Sequence, residues 1–136
     1  TNASKKHALN VIGGMGVTDQ FDDILDIKGT NYVPKPDPRS YEIMIRKFKI
    51  AGEPLKRTIF FEDTAKNLTP AKKMGLSTVW IKNKFNQQDY EMNKKFIDFR
   101  CNDIKDFFNS ISLDIWNDNK KNRFRGELTF TDYGEL

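Results

Sequence analysis

Cysteine and histidine are nearly absent from the 136 residues, which hold one of each, Cys101 and His7. A lone cysteine excludes an internal disulfide framework and suits a reducing compartment, so the expected location is cytoplasmic. No apolar run approaches the roughly 18–20 residues that a membrane-spanning helix needs, and no membrane partner is expected. The opening Thr1-Asn2-Ala3-Ser4-Lys5-Lys6-His7 lacks the apolar stretch of a signal peptide. It also lacks an initiator Met, so the chain is expected to begin partway through a longer protein. A continuous basic face is missing too. The net charge of +4 comes from scattered Lys and Arg, and the one dense block is Lys120-Lys121-Asn122-Arg123-Phe124-Arg125. That block sits in a tail, residues 114–136, with four basic and five acidic residues. Nucleic-acid binders carry a continuous basic face with interleaved aromatics, so no nucleic-acid partner is expected.

What is present is a globular composition, with 38% apolar, 31% charged and 12% aromatic residues. The length fits one compact domain with room for a core. Ala8, Val11, Ile12 and Met15 recur at helical spacing after Ser4, a natural N-cap, and Gly16 can close that helix. Ile24-Leu25-Asp26-Ile27 is a short strand candidate. Val33-Pro34-Lys35-Pro36-Asp37-Pro38 is too proline-rich for helix or strand and reads as an extended loop. Asp37 then caps a helix whose first residue is Pro38 and whose apolar stripe is Tyr41, Met44, Ile45 and Phe48.

Thr58-Ile59-Phe60-Phe61 has no alternation, which points to a strand buried on both faces, as in parallel sheets. Glu62-Asp63 ends it. The next helix reaches Gly75, and Pro70 either kinks it or marks its true start at Thr69-Pro70, with Asp63 to Asn67 as a turn. Thr78-Val79-Trp80-Ile81 is a second buried-type strand. Phe96 to Phe99 is a candidate last strand, and Ile104, Phe107, Phe108 and Ile111 form a closing amphipathic helix. Alternating helices and strands of this kind specify a layered α/β fold with a parallel sheet. Ligands of such sheets bind outside the carboxyl ends of the strands.

That rule directs attention to Glu62-Asp63. Adjacent carboxylates are costly unless a cation neutralises them, which suits a hard divalent ion such as Mg²⁺. The alternative is an exposed acidic turn in which Asp63 or Thr64 only caps a helix. Lys35, between two prolines, suits a fixed charge for a phosphate or carboxylate, or else is a surface lysine in a turn. Thr1 and Asn2 offer a hydroxyl, an amide and backbone N–H groups at a helix start. His7, beside Lys5 and Lys6, reads as a surface residue. Cys101 reads as a half-buried filler, and Trp80 and Trp116 as packing residues.

Taken in order, Thr1-Asn2, Pro34-Lys35-Pro36 and Phe60-Phe61-Glu62-Asp63-Thr64 with Asn67-Leu68 resemble motifs II, III and IV of the haloacid dehalogenase-like phosphohydrolase superfamily. The stretches Thr1-Asn2-Ala3-Ser4-Lys5-Lys6-His7-Ala8, Tyr32-Val33-Pro34-Lys35-Pro36 and Phe61-Glu62-Asp63-Thr64-Ala65-Lys66-Asn67-Leu68 narrow the resemblance. So does Ala71-Lys72-Lys73-Met74-Gly75-Leu76-Ser77-Thr78-Val79-Trp80. Together they are most similar to pyrimidine 5′-nucleotidase-like proteins, over about residues 1–112. The resemblance implies a Rossmann-like three-layer core, here over residues 1–113, followed by the tail 114–136. It implies a Mg²⁺-dependent phosphatase that acts on a small phosphorylated metabolite, a nucleoside monophosphate, through an aspartyl-phosphate. On this reading Thr1, Asn2 and Lys35 bind phosphate, Lys35 is also catalytic, Asp63 ligates Mg²⁺ directly and Glu62 does so directly or through water.

One departure is large. The family's nucleophile is the first aspartate of an Asp-x-Asp that ends a strand, and no Asp-x-Asp occurs in these residues. The nucleophile, the acid/base, the first strand and the cap are expected upstream, and the 136 residues alone are expected not to turn over. Two other readings compete. A 2-haloacid dehalogenase would not need the metal-binding acidic pair. A non-catalytic α/β binding module is the reading that the missing nucleophile favours.

Overall fold

The structure, a computed structural model, describes residues 1–110. Helix α1, Lys5–Gly14, starts where the Ser4 hydroxyl accepts the His7 N–H at 3.3 Å. Gly16, at φ +69°, supplies the left-handed residue that turns the chain away after it. Helix α2, Pro38–Lys47, is capped by Asp37, whose carboxylate accepts the Arg39 N–H at 3.0 Å. The Arg39 guanidinium also grips that carboxylate and holds its pKa down at about 2. A short helix α3, Glu53–Lys56, leads into strand β1, Ile59–Glu62. A 3₁₀ turn at Ala65–Asn67 runs directly into helix α4, Leu68–Lys73. Pro70 therefore sits in the first turn of α4, where its missing N–H costs nothing. Strand β2, Ser77–Ile81, helix α5, Gln87–Asn93, strand β3, Phe99–Cys101, and helix α6, Ile104–Ser110, complete the order.

The three strands form a parallel sheet in the order β1-β2-β3. Phe60 pairs with Thr78, Phe61 with Val79 and Glu62 with Trp80, while Val79 pairs with Phe99. Alternation along the strands then sorts side chains onto two faces. Phe60 and Trp80 face the layer of α2, α4 and α5, packing with Tyr41, Ala71 and Leu76 and with Ala65, Leu68 and Tyr90. Phe61 and Phe99 face α6, where both meet the ring of Phe107 edge-on. The sheet is thus covered on both sides, as a parallel α/β sheet must be. Among the described residues, β1 is an edge strand, with only β2 beside it. No helix among these residues is long and apolar enough to cross a membrane.

The structure corrects two expectations and adds a helix that was not foreseen. Ile24–Ile27 joins no sheet among the described residues, and Ile27 opens a turn. It runs beside the chain start, with Ile27 donating to the Ala3 carbonyl at 3.2 Å and the Thr1 nitrogen donating to the Leu25 carbonyl at 2.7 Å. Asp26 explains the diversion, because its carboxylate accepts the N–H groups of Lys5 and Gly29 and ties the segment to α1 and to its own turn. The last strand begins at Phe99, later than Phe96, because Lys94–Phe96 forms a 3₁₀ turn. The Asp98 carboxylate takes the Thr78 N–H at 2.9 Å, delaying the ladder. Helix α5 had no apolar stripe to announce it. Tyr90 packs it on the core, stacked on Trp80 with ring centroids 4.3 Å apart, and Asp89 and Asn93 bond to Lys66 and Thr69. His7 is exposed and Cys101 is half-buried. Ile111, Trp116 and the tail 114–136 lie outside the described residues.

Candidate functional site

Three segments remote in sequence converge at the carboxyl end of β1. Asn2 and Lys35 form a reciprocal pair: the Lys35 N–H donates to the Asn2 side-chain oxygen at 2.8 Å, and the Asn2 amide donates to the Lys35 carbonyl at 3.2 Å. A single side chain thereby fixes the backbone of the proline-flanked loop on both sides of Lys35. The Lys35 ammonium then forms an ion pair with the Glu62 carboxylate. It lies 5.5 Å from the centroid of the Phe60 ring, so it is held by charge below and an aromatic face beside it.

Glu62 is 9% exposed. Its other carboxylate oxygen accepts the Thr64 N–H at 3.3 Å. Asp63 differs. Its carboxylate is exposed, and its hydrogen bonds, from the Thr64 hydroxyl and the Asn83 amide, are both long at 3.4 Å. The Asp63 carboxyl is held below the ordinary carboxylate range, first by hydrogen bonding with the Glu62 side chain. Burial opposes this, while Asn83 and Thr64 add to it. Asp63 is thus an ionised group with lightly held oxygens, pointed outward.

Two buried aromatic residues shape the loop that carries these acids. The Trp80 indole N–H donates to the Asp63 carbonyl at 2.8 Å. The Tyr41 hydroxyl donates to the Asn67 carbonyl at 2.5 Å. Burial raises the Tyr41 phenol pKa, and the nearby Glu62 negative charge raises it further, so the hydroxyl is a donor at every working pH. A cavity of about 190 Å³ opens beside the site, lined by Asn2, Lys35, Tyr41 and Phe60 among others.

The chemistry of this donor set fits a hard cation. Mg²⁺ is typically held by one or two carboxylates, with waters and substrate phosphate completing the shell. Asp63 has free oxygen lone pairs for such an ion, and Glu62 stands next to it. Among the described residues no group of three or more His, Cys, Asp and Glu side chains gathers as a closed cage.

The structure brings Asn2, Lys35 and Glu62 into direct contact and sets Asp63 one residue beyond. Thr1 lines the same cavity as Asn2 and Lys35, and its hydroxyl accepts the Ala3 N–H at 3.1 Å. Asn83 was not foreseen, although it follows the apolar run of β2 just as Glu62 and Asp63 end that of β1. Trp80 and Tyr41 read as packing residues, and nothing in their spacing signals the polar hydrogen each spends on the acidic loop.

A family model described as a haloacid dehalogenase-like hydrolase matches residues 1–75, over half of the chain. The chain belongs to the haloacid dehalogenase-like hydrolases. The match contains Asn2, Lys35, Glu62 and Asp63, so the converging segments all lie inside this hydrolase region. No curated protein matches the chain.

Proposed function

We propose that this haloacid dehalogenase-like hydrolase is a Mg²⁺-dependent phosphatase of the pyrimidine 5′-nucleotidase type, acting on nucleoside monophosphates. The supporting observation is that Asn2 locks the loop of Lys35 and so fixes the lysine ammonium beside the acids that end β1. A phosphoryl group between Lys35 and Asp63 would meet an ammonium, an amide and a carboxylate able to hold a cation. Mg²⁺, when bound, supplies charge neutralisation for the transferring phosphoryl group, where most catalysis in such reactions lies. Lys35 adds a point charge on the same oxygens, and Asn2 keeps its backbone in place. Asp63 is the direct metal ligand, and Glu62, already engaged by Lys35 and Thr64, contributes more weakly.

No Asp-x-Asp occurs in these residues. We place the nucleophilic aspartate on a further strand of the full-length protein, lying along the free edge of β1. There its carboxylate would emerge beside Lys35, which neutralises nucleophile and phosphate together. The test is release of inorganic phosphate from pyrimidine and purine nucleoside monophosphates by the full-length protein, with and without Mg²⁺. Turnover that vanishes with a chelator and returns with Mg²⁺ supports the reading. Metal-independent turnover, or none with any monophosphate, overturns it.

A further inference from the structure

We infer that Tyr41 and Trp80 are positioning residues that clamp the acidic loop Glu62–Asn67 at both ends and thereby set its affinity for a divalent cation. The inference rests on the metal role proposed for Asp63 and goes beyond it. The two side chains come from different elements, α2 and β2, and both are 1% exposed. Each carries one polar hydrogen. Trp80 places its own on the carbonyl of Asp63, and Tyr41 places its own on the carbonyl of Asn67. A buried aromatic with an N–H or O–H needs a partner, but a helix or strand carbonyl could have served. Both instead meet the loop.

The loop does not rest there on its own account. Asn67 is 7% exposed, and its side-chain oxygen is buried without a hydrogen-bond partner. A buried, unpaired acceptor works against the conformation that holds it. The Tyr41 bond to the same residue's backbone offsets that cost and keeps Asn67 inside. At the other end, the Trp80 bond acts on the peptide of Asp63 itself. The bonds from Thr64 and Asn83 to the Asp63 carboxylate are long, so the direction of that side chain depends largely on where its backbone is held. The clamp is also tied to the lysine: the Tyr41 ring packs on Phe60 with centroids 5.6 Å apart, and Lys35 lies over that same Phe60 ring. Tyr41 thus touches both the support of the cation-binding loop and the support of the ammonium.

The experiment is calorimetric titration of Mg²⁺ alone into the full-length protein, well below its unfolding temperature. Wild type, Asp63→Asn, Tyr41→Phe and Trp80→Phe are compared. Tyr41→Phe removes only the hydroxyl, while Trp80→Phe also shrinks the ring. Partners one shell out from a metal ligand typically change affinity by about 10–100-fold. We expect about a 10-fold weaker Mg²⁺ dissociation constant for each Phe variant and no detectable binding for Asp63→Asn. A purely structural role would lower the unfolding temperature and leave the dissociation constant unchanged. If Asp63→Asn binds as wild type, the metal reading fails and the clamp with it. If Asp63→Asn loses the ion while Tyr41→Phe binds as wild type, the clamp fails alone. Tyr41→Phe decides the matter even if Trp80→Phe does not fold.

Discussion

Lys35 and Glu62, 27 positions apart, form an ion pair in which the glutamate side chain is 8% exposed and the lysine 23%. Burying a carboxylate is costly, and among the described residues this one has one ion-pair partner, Lys35, and one backbone donor, Thr64. Removing the lysine leaves the charge buried and unpaired. Lys35→Ala should therefore cost about 1–3 kcal/mol of stability, the usual penalty for an orphaned buried group, discounted because the lysine is partly solvated. Lys35→Ala combined with Glu62→Gln should recover most of that loss. Urea unfolding of the single and double variants checks it, and equal losses would show that the pair is not coupled.

The acidic neighbours should separate in their effects. Asp63 holds its oxygens lightly, whereas both oxygens of Glu62 are engaged by Lys35 and Thr64. In the full-length protein, Asp63→Asn should abolish Mg²⁺-dependent phosphatase activity, and Glu62→Gln should only raise the Mg²⁺ concentration needed. Losing a direct carboxylate ligand removes charge where the cation needs it, while an outlying partner is partly replaceable. Wild-type activity of Asp63→Asn at low Mg²⁺ would sink the assignment.

The depressed pKa of Asp63 has a sign that acid unfolding can read. A carboxyl whose folded pKa lies below its unfolded value contributes stability that is complete above the unfolded value of about 4. That contribution is lost as pH falls through the lower folded pKa. Because Glu62 hydrogen bonding is the first cause of the depression, the contribution should vanish in Asp63→Asn. The difference in urea midpoint between wild type and variant should be constant above about pH 5 and shrink below about pH 4. A difference independent of pH would mean that Asp63 is not depressed.

Much of this architecture is legible in the sequence where one residue type has one physical use. Ser4 and Asp37 cap helices as their spacing implies, and the unbroken runs at Ile59 and Thr78 form parallel strands, the second buried at its centre and the first half-buried along its apolar residues. The convergence of Asn2, Lys35 and Glu62 is reached through the family resemblance, and only Glu62 and Asp63 follow from the rule that polar residues past strand ends face the ligand side. What was not legible depends on tertiary partners. The Ile24–Ile27 segment is apolar enough for a strand, yet Asp26 ties it to α1. Helix α5 exists because Tyr90 stacks on Trp80 and because Asp89 and Asn93 bond to Lys66 and Thr69. The donors Tyr41 and Trp80 look identical in sequence to packing aromatics, since direction is set only by the fold.

Among the described residues the outer edge of β1 has no partner, which carries its own consequence. An unpaired strand edge is a template for association. Leu9, Val11, Met15 and Phe21 are exposed as well, and α1 buries no residue of its own. The 136-residue chain expressed alone should therefore unfold broadly and associate. A longer protein that supplies the nucleophile-bearing strand should instead unfold in one sharp transition. Scanning calorimetry with light scattering reads both properties. A sharp, cooperative, monomeric transition of the 136-residue chain would refute the idea that β1 needs a further strand.

Lys35 offers the most direct test of mechanism. Its loop is locked by Asn2, and its ammonium is held between Glu62 and the face of Phe60, so it is already ordered for the role proposed for it. A cation that meets more charge in the transition state than in the ground state lowers kcat when removed, and changes KM less. Lys35→Ala in the full-length protein should lower kcat by at least about 10²-fold, comparable to losing one oxyanion donor. The stability loss expected for the same variant does not account for this, since kcat is read well below the unfolding temperature. Lys35→Arg should rescue partly: it restores a charge for Glu62, but a planar guanidinium does not match a compact ammonium over Phe60. Glu62→Gln, which releases the lysine without removing it, should keep more of kcat than Lys35→Ala does. Single-turnover phosphate release separates these effects. A normal rate for Lys35→Ala, with only its stability lowered, would reduce the lysine to a structural counter-charge for Glu62.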